Sequence, residues 1–205
     1  MIDYKNQLSS INNSTILENV PDGAVGYILF NIFQETKYKF ITYAVKSNTE
    51  IEFIKNEIKF YDENIEIIEF PEWNTIPYDV ASPNIDIQLK RMESLYNLSQ
   101  FKSCLVDKKV LFLISKKSLL QKVINLEDFT RLVLKLEVGQ NISIDNIADR
   151  LESNCYNETD TAISIGDYAI NNGKIDIVTF RNLSFRITIK NNIVKELKYY
   201  NPVTQ

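Results

Sequence analysis

The stretch KFITYAVKSNTEIEFIKNEIKFYDENIEIIEF, Lys39 to Phe70, decides the fold of the first half of this chain. Lys39 to Val45 is an apolar run of strand length, rich in β-branched and aromatic residues, and Ile65 to Phe70 is a second. Between them, Ser47 and Glu50 stand at the S-x-x-E spacing of a capping box. Ile51, Ile54, Ile58 and Tyr61 then follow along one face of a helix. Strand, helix, strand, with the strands reading as apolar runs, predicts a parallel sheet covered on both faces.

Upstream, residues 1 to 13 are polar and asparagine-rich, a short helix or a loose end, and Ser14 to Val20 reads as a short strand. That strand runs into the turn-prone Pro21-Asp22-Gly23-Ala24-Val25-Gly26, and YILFNIFQETK follows as a largely buried helix. In an α/β fold the first strand-to-helix turn is the natural phosphate-binding position, which draws attention to Gly23 and Gly26. A working P-loop also needs a lysine for the terminal phosphates and a hydroxyl for magnesium, and here Tyr27 and Ile28 stand in their places. The loop is read as a structural turn. The only Gly-Lys pair, Gly173-Lys174, falls in an expected hairpin.

Downstream comes PEWNTIPYDVASPNIDIQLKRMESLYNL, Pro71 to Leu98, with the only tryptophan and with prolines at 71, 77 and 83. Each proline holds its own φ and keeps the preceding residue extended, so this is an ordered connection into a helix. Ser82 is the expected N-cap, Pro83 the first helical residue, Asp86 a first-turn acid, and Leu89, Met92 and Tyr96 the apolar face. Val110 to Ser115 is a further buried strand, bracketed by Lys108-Lys109 and Lys116-Lys117. Residues 1–125 thus read as a small α/β domain.

From Leu126 the pattern changes. Thr130 to Val138 reads as a strand ending at Gly139, and Ser143 caps a short helix with Ile144, Ile147 and Leu151 inward. Strand-like pieces follow at Ala162 to Ile165, Tyr168 to Ile170, Ile175 to Thr179, Leu183 to Ile189 and Ile193 to Tyr200. Asn172-Gly173 is a strong hairpin signal and Asn191-Asn192 a second. Leu183, Phe185, Ile187 and Ile189 alternate with polar residues, as on a sheet with one wet face. Residues 126–205 read as a second domain, α+β and mostly antiparallel.

Composition narrows the chemistry. The chain has 205 residues, 44% hydrophobic and 24% charged, within the globular range. Its net charge of −4 is spread over both halves, which argues against independent nucleic-acid binding. No apolar run approaches a membrane span, and the start lacks a signal-peptide core, so a cytoplasmic protein is expected. Cys104 and Cys155 are isolated thiols, read as small core residues in a reducing compartment. Histidine is absent, which excludes Ser-His and Cys-His nucleophile pairs and histidine metal ligands. Asp62, Glu63, Glu66 and Glu69 read as solvated, and the Tyr199-Tyr200 pair as core. No cofactor or metal is expected.

The segment from Pro71 to Leu98 also resembles the part of the transcription-repair coupling factor Mfd in which a tryptophan, a Thr-x-Pro-Tyr, a Ser-Pro and an Asp-Ile precede an arginine-bearing helix. Those positions are Trp73, Thr75, Pro77, Tyr78, Ser82, Pro83, Asp86, Ile87 and Arg91. GDYAINNGKIDIV, Gly166 to Val178, resembles the family's Gly-acidic-Tyr/Phe-Ala-Val-Arg-Gly-Gly-x-x-Asp-Ile-Phe, and SFRITIKNNIVKELKYYNPVTQ resembles the strand pair after it. The resemblance implies the amino-terminal module similar to the helicase UvrB: an α/β domain with a degenerate P-loop, then an inserted domain that binds UvrA. It thereby implies a non-catalytic role, recruiting UvrA to a stalled RNA polymerase, with the family's motor motifs absent from this chain. Partner contacts are expected at Asn157, Tyr168, Asn171, Asn172 and Gly173. Where the family carries arginines, Asn157 and Asn171 stand here, and asparagine cannot make arginine's bidentate, charge-assisted contact. Two other readings stand beside this one: a nucleotide-binding enzyme domain using the degenerate loop with the Trp73 to Tyr78 segment, or a non-functional remnant of a split gene.

Overall fold

The computed structural model describes residues 16–21, 23–75, 82–103, 108–179 and 183–202. The expected element at 1–13, Ser14, Thr15, Pro77, Tyr78 and Cys104 lie outside them. The chain divides into two compact units, residues 1–123 and 124–205.

The first unit runs α1 (Val25–Glu35), β1 (Phe40–Val45), α2 (Asn48–Tyr61), β2 (Glu66–Phe70), α3 (Ile85–Ser103), β3 (Val110–Ser115) and the short α4 (Lys116–Leu119). The three strands are parallel in the order β1-β3-β2, with Phe40 and Glu66 both opposite Val110. As the middle strand, β3 has both faces covered, which is why VLFLIS is apolar throughout. Leu111 and Leu113 meet Leu29 and Phe33 of α1 and Ile51, Ile54 and Ile58 of α2. Phe112 points the other way, its ring centroid 6.3 Å from Phe40 and 6.1 Å from Phe70, and Phe101 of α3 lies 5.0 Å from Phe40.

The expected helix starts are corrected in detail. The capping box does not form: the Ser47 hydroxyl makes no cap bond, and the Glu50 carboxylate accepts the N–H of Lys46, one residue before the N-cap, at 2.6 Å. α3 begins two residues later than expected, because Asn84 rather than Ser82 accepts the Asp86 N–H, at 2.8 Å. Its inward residues are Arg91 and Ser94, both buried, and Met92 faces solvent. Ile16 to Val20, the described part of the expected first strand, forms no strand; Ile16 is exposed and Asn19 has a φ of 56°.

The second unit runs α5 (Leu126–Leu132), α6 (Ile144–Ser153), β4 (Asn157–Glu158), β5 (Asp167–Asn171), β6 (Lys174–Val178), β7 (Ser184–Lys190) and β8 (Ile193–Tyr199). The sheet order is β4-β5-β6-β7-β8, antiparallel except for the β4–β5 pair. Both hairpin turns stand where expected: Asn172 and Gly173 have φ of 49° and 77°, Asn191 and Asn192 of 53° and 58°. Two consecutive positive φ values match the twist of a two-residue hairpin. The Ser143 hydroxyl caps α6 by accepting the Asn146 N–H at 3.2 Å, and Ile147 and Leu151 are buried against Tyr168, Ile175, Ile187 and Val194.

Two expected strands are not strands. The expected strand at Thr130 to Val138 instead opens on the end of a helix, Leu126 to Leu132, started by the Asn125 side chain accepting the Asp128 N–H at 2.9 Å. Leu134 and Leu136 beyond it pack on the core without joining a ladder, so their alternation reflects one-sided burial. Ala162 to Ile165 is also irregular, and Asn157–Glu158 takes the place beside β5. The far face of the sheet is less wet than its alternation implies. Arg186 makes a bidentate pair with Asp176 at 2.7 and 2.6 Å and lies 4.8 Å from the Tyr200 ring centroid.

Candidate functional site

The glycine loop of the first unit is built as a close approach between two helices. Gly23 has a φ of 82°, and the Ala24 N–H donates to the Pro21 carbonyl at 3.2 Å, turning the chain into α1. One turn further, the Gly26 N–H donates to Glu57 Oε2 at 2.7 Å. A Cβ at position 26 would stand 2.3 Å from the Cβ of Glu57, so only glycine lets α2 come this close. The free N–H groups at a helix start favour an anion. In this protein the anion is Glu57, from within the chain. A phosphate placed at Gly26 would have to displace a carboxylate of its own charge.

The stretch with the tryptophan is organised by Arg91. Its guanidinium carbon lies 4.1 Å from the Phe70 ring centroid and 4.2 Å from that of Trp73. Its Nη1 donates to the Pro71 carbonyl at 2.7 Å and to Ser118 Oγ at 3.2 Å, and Ser118 donates to the same carbonyl. Burial lowers the Arg91 pKa below its ordinary value. Nearby, Glu69 is held between Lys55 at 2.6 Å and Lys90 at 2.8 Å. Burial works against the Glu69 carboxylate, yet the hydrogen bonds and charges of both lysines prevail and hold its pKa below the usual value. Glu69 is therefore not solvated, as its place in an alternating strand suggested. Of the remaining signature residues, Asp86 lies in the first turn of α3, Pro83 gives its carbonyl to the Gln88 side chain at 2.8 Å, and Ser82 is exposed.

In the second unit, Asn157 and Asn171 come to the same side of the sheet, because β4 flanks β5. Asn157 is exposed on β4, its N–H donating to the Gly166 carbonyl at 2.9 Å. Asn171 ends β5, and its Nδ2 donates to the Asp160 carbonyl at 3.3 Å. Glu158, Thr159, Asp160, Ile170 and Asn171 line an open depression of about 490 Å³ here, with two carboxylates and no basic side chain. Asn172 and Gly173 form the adjoining turn, and Gly173 accepts the Ile189 N–H at 2.8 Å. Tyr168 is fully buried, its hydroxyl donating to Glu152 Oε1 at 3.2 Å. Burial and the carboxylates of Glu152 and Glu158 push its pKa up to about 12. It supports the surface from below.

Residues 134–205, almost the whole of this unit, match the UvrB interaction domain. The chain is 27% identical over 179 residues to the transcription-repair-coupling factor of Rickettsia conorii, 87% of this chain and 16% of that protein. It is 24% identical over 197 residues to that of Haemophilus influenzae, 95% of this chain and 16% of that protein. To that of Escherichia coli it is 23% identical over 158 residues, 74% and 13% respectively. The chain resembles the UvrB-like amino-terminal region of the transcription-repair coupling factors. It spans about a sixth or less of these relatives' length.

Within this resemblance to the coupling factors, Trp73 and Arg91 are tied together as one packing unit. Sequence reasoning missed Glu57 and Glu69, the two carboxylates that organise the first unit. One signal for Glu57 was available: a glycine inside a helix, Gly26, marks a close approach, and a neighbouring helix must supply the approaching group. Cys155, expected in the core, is exposed with a φ of 61°, and Tyr199 is exposed too. Among the described residues no group of His, Cys, Asp and Glu could hold a metal ion, and no helix is long and apolar enough to cross a membrane.

Proposed function

We propose that this chain is a non-catalytic interaction module of a transcription-repair coupling factor, recruiting UvrA to a stalled RNA polymerase. The first unit is a P-loop NTPase-like domain whose loop has degenerated, and the second carries the UvrA contact. The reading is supported most directly by Glu57 accepting the Gly26 N–H, which fills the helix start that a nucleotide phosphate would use. The match of residues 134–205 to the UvrB interaction domain supports the second half. In the contact, Asn157, Asn171, Asn172 and Gly173 present the surface and Tyr168 holds β5 in place beneath it, over an interface on the order of 1,000–2,000 Å².

Titration of the whole chain with purified UvrA, followed by sedimentation, tests this. Asparagine in place of arginine gives weak binding, and Asn171→Arg, alone or with Asn157→Arg, strengthens it roughly ten-fold, the worth of one charge-assisted hydrogen bond. No binding by either variant or by the parent refutes the UvrA assignment.

A further inference from the structure

β8 is an edge strand of the second sheet, and among the described residues its outer side is hydrogen-bonded only at its start. There the Gly139 N–H donates to the Val194 carbonyl at 2.8 Å, the Val194 N–H donates to Gln140 at 2.9 Å, and Asn141 bridges Ile193. An irregularity opposite Thr188 and Ile189 separates this part from the rest of the strand. Beyond it, the Tyr200 N–H donates inward to the Ser184 carbonyl at 3.0 Å. Backbone groups alternate along a strand, so the N–H and C=O of Leu197 and Tyr199 turn outward. No described residue bonds them.

The side chains along this open edge are apolar on one face. Leu197 pairs with Ile187 and Tyr199 with Phe185, on the side that faces the core. Together with Phe185, Leu132, Leu134 and Leu136 they line a groove of about 500 Å³, and Tyr199 remains 74% exposed. On the other face, Glu196 and Lys198 point to solvent and pair with each other at 2.7 Å. An open edge with apolar side chains is a template for another strand.

We infer that β8 pairs with β8 of a second copy of this chain, antiparallel about a two-fold axis at Leu197, joining the two five-stranded sheets edge to edge. Charge selects both the occupant and the register. Read in both directions about Leu197, the sequence Lys195-Glu196-Leu197-Lys198-Tyr199 sets Glu196 of each copy opposite Lys198 of the other, and Leu197 opposite itself. Of the other registers that use the same outward groups, the one centred on Lys198 sets two lysines face to face, and the one centred on Tyr199 sets Lys198 opposite Tyr200 and loses both Glu196–Lys198 pairs. A two-fold axis requires a self-complementary strand, and this one is self-complementary at Leu197.

Sedimentation velocity on the whole chain across concentrations up to about 200 µM, the weak end of specific association, tests the pairing. A species of twice the 23.8 kDa chain mass is expected, and a monomer throughout overturns the inference. Leu197→Pro removes an outward N–H that β7 does not use, and so abolishes the dimer while the thermal melt keeps its cooperative form. Glu196→Lys, at an exposed position, weakens the dimer about ten-fold, and Glu196→Lys with Lys198→Glu restores it. A dimer indifferent to Glu196→Lys, or one that the double exchange fails to restore, overturns it as well.

Discussion

Arg91 and Trp73 form one packing unit: the guanidinium carbon stands 4.2 Å from the tryptophan ring centroid and 4.1 Å from that of Phe70. A planar cation over two aromatic faces keeps part of its stabilisation where water is excluded. The bond to the Pro71 carbonyl ties α3 to the chain leaving β2. Arg91→Ala is expected to cost about 2–4 kcal/mol, since it empties a filled site and leaves the carbonyl without its charged donor. Arg91→Lys recovers less than half, because a point charge neither stacks nor forks. Chemical unfolding followed by fluorescence of Trp73, the only tryptophan, measures both.

Gly26→Ala is expected to destabilise the chain by about 1–3 kcal/mol, because the new methyl group cannot share space with the Glu57 side chain. Glu57→Ala in the same background gives little rescue, because alanine keeps the Cβ that stands 2.3 Å away, and the Gly26 N–H is then left to water. Calorimetry with ATP and magnesium should show no binding heat for the parent. Measurable heat that grows in Glu57→Lys, where a cation replaces the competing carboxylate, would instead support the nucleotide-binding reading.

Acid should weaken the first unit through Glu69. Its folded pKa lies below the unfolded value of 4.5, so its stabilisation is present above that pH and is lost as pH falls through the lowered value. Glu69→Gln removes this part of the acid dependence and costs about 1–2 kcal/mol at neutral pH, because Lys55 and Lys90 lose their shared partner. Denaturation curves between pH 3 and pH 7 test it.

The alkaline limit has the opposite sign. Tyr168 has a folded pKa of about 12 against an ordinary 10.0, so folding is favoured while the hydroxyl keeps its proton. This contribution is complete below pH 10 and disappears as pH rises toward 12. Burial also raises Tyr43, Tyr156 and Tyr200, which act in the same direction. Tyr168→Phe flattens only its own share of the alkaline slope and costs roughly 0.5–1.5 kcal/mol at neutral pH through the lost bond to Glu152. Stability measured from pH 8 to pH 12 separates the two effects.

Gly173→Ala is expected to cost about 1–2 kcal/mol, since a side chain there adopts a φ of 77° and meets the Ile189 carbonyl at 3.0 Å. Asn172→Gly is close to neutral by the same reasoning. Thermal melts of the two variants give the comparison.

The sequence by itself determined which segments are helices and strands wherever the burial pattern and the backbone pattern coincide. The period of Ile51, Ile54 and Ile58, the apolar run of β3 and the paired asparagine turns of the second unit all read correctly, because each reflects a local constraint on φ or on one face. Reading failed where burial was one-sided without a ladder, as at Leu134 and Leu136, and where a stronger cap stood nearby, as Asn84 does beside Ser82. The motif residues in the first half were legible as a family signature but not as a structure. That Arg91 lies over two rings, that Glu69 is bound by two lysines, and that Glu57 fills the start of α1 depend on residues 14 to 31 positions apart. Such distances are set by packing, which no local period encodes. Only the tertiary structure placed Tyr168 beneath the surface that Asn157 and Asn171 present, because a strand's two faces become inside and outside only once a helix covers one of them.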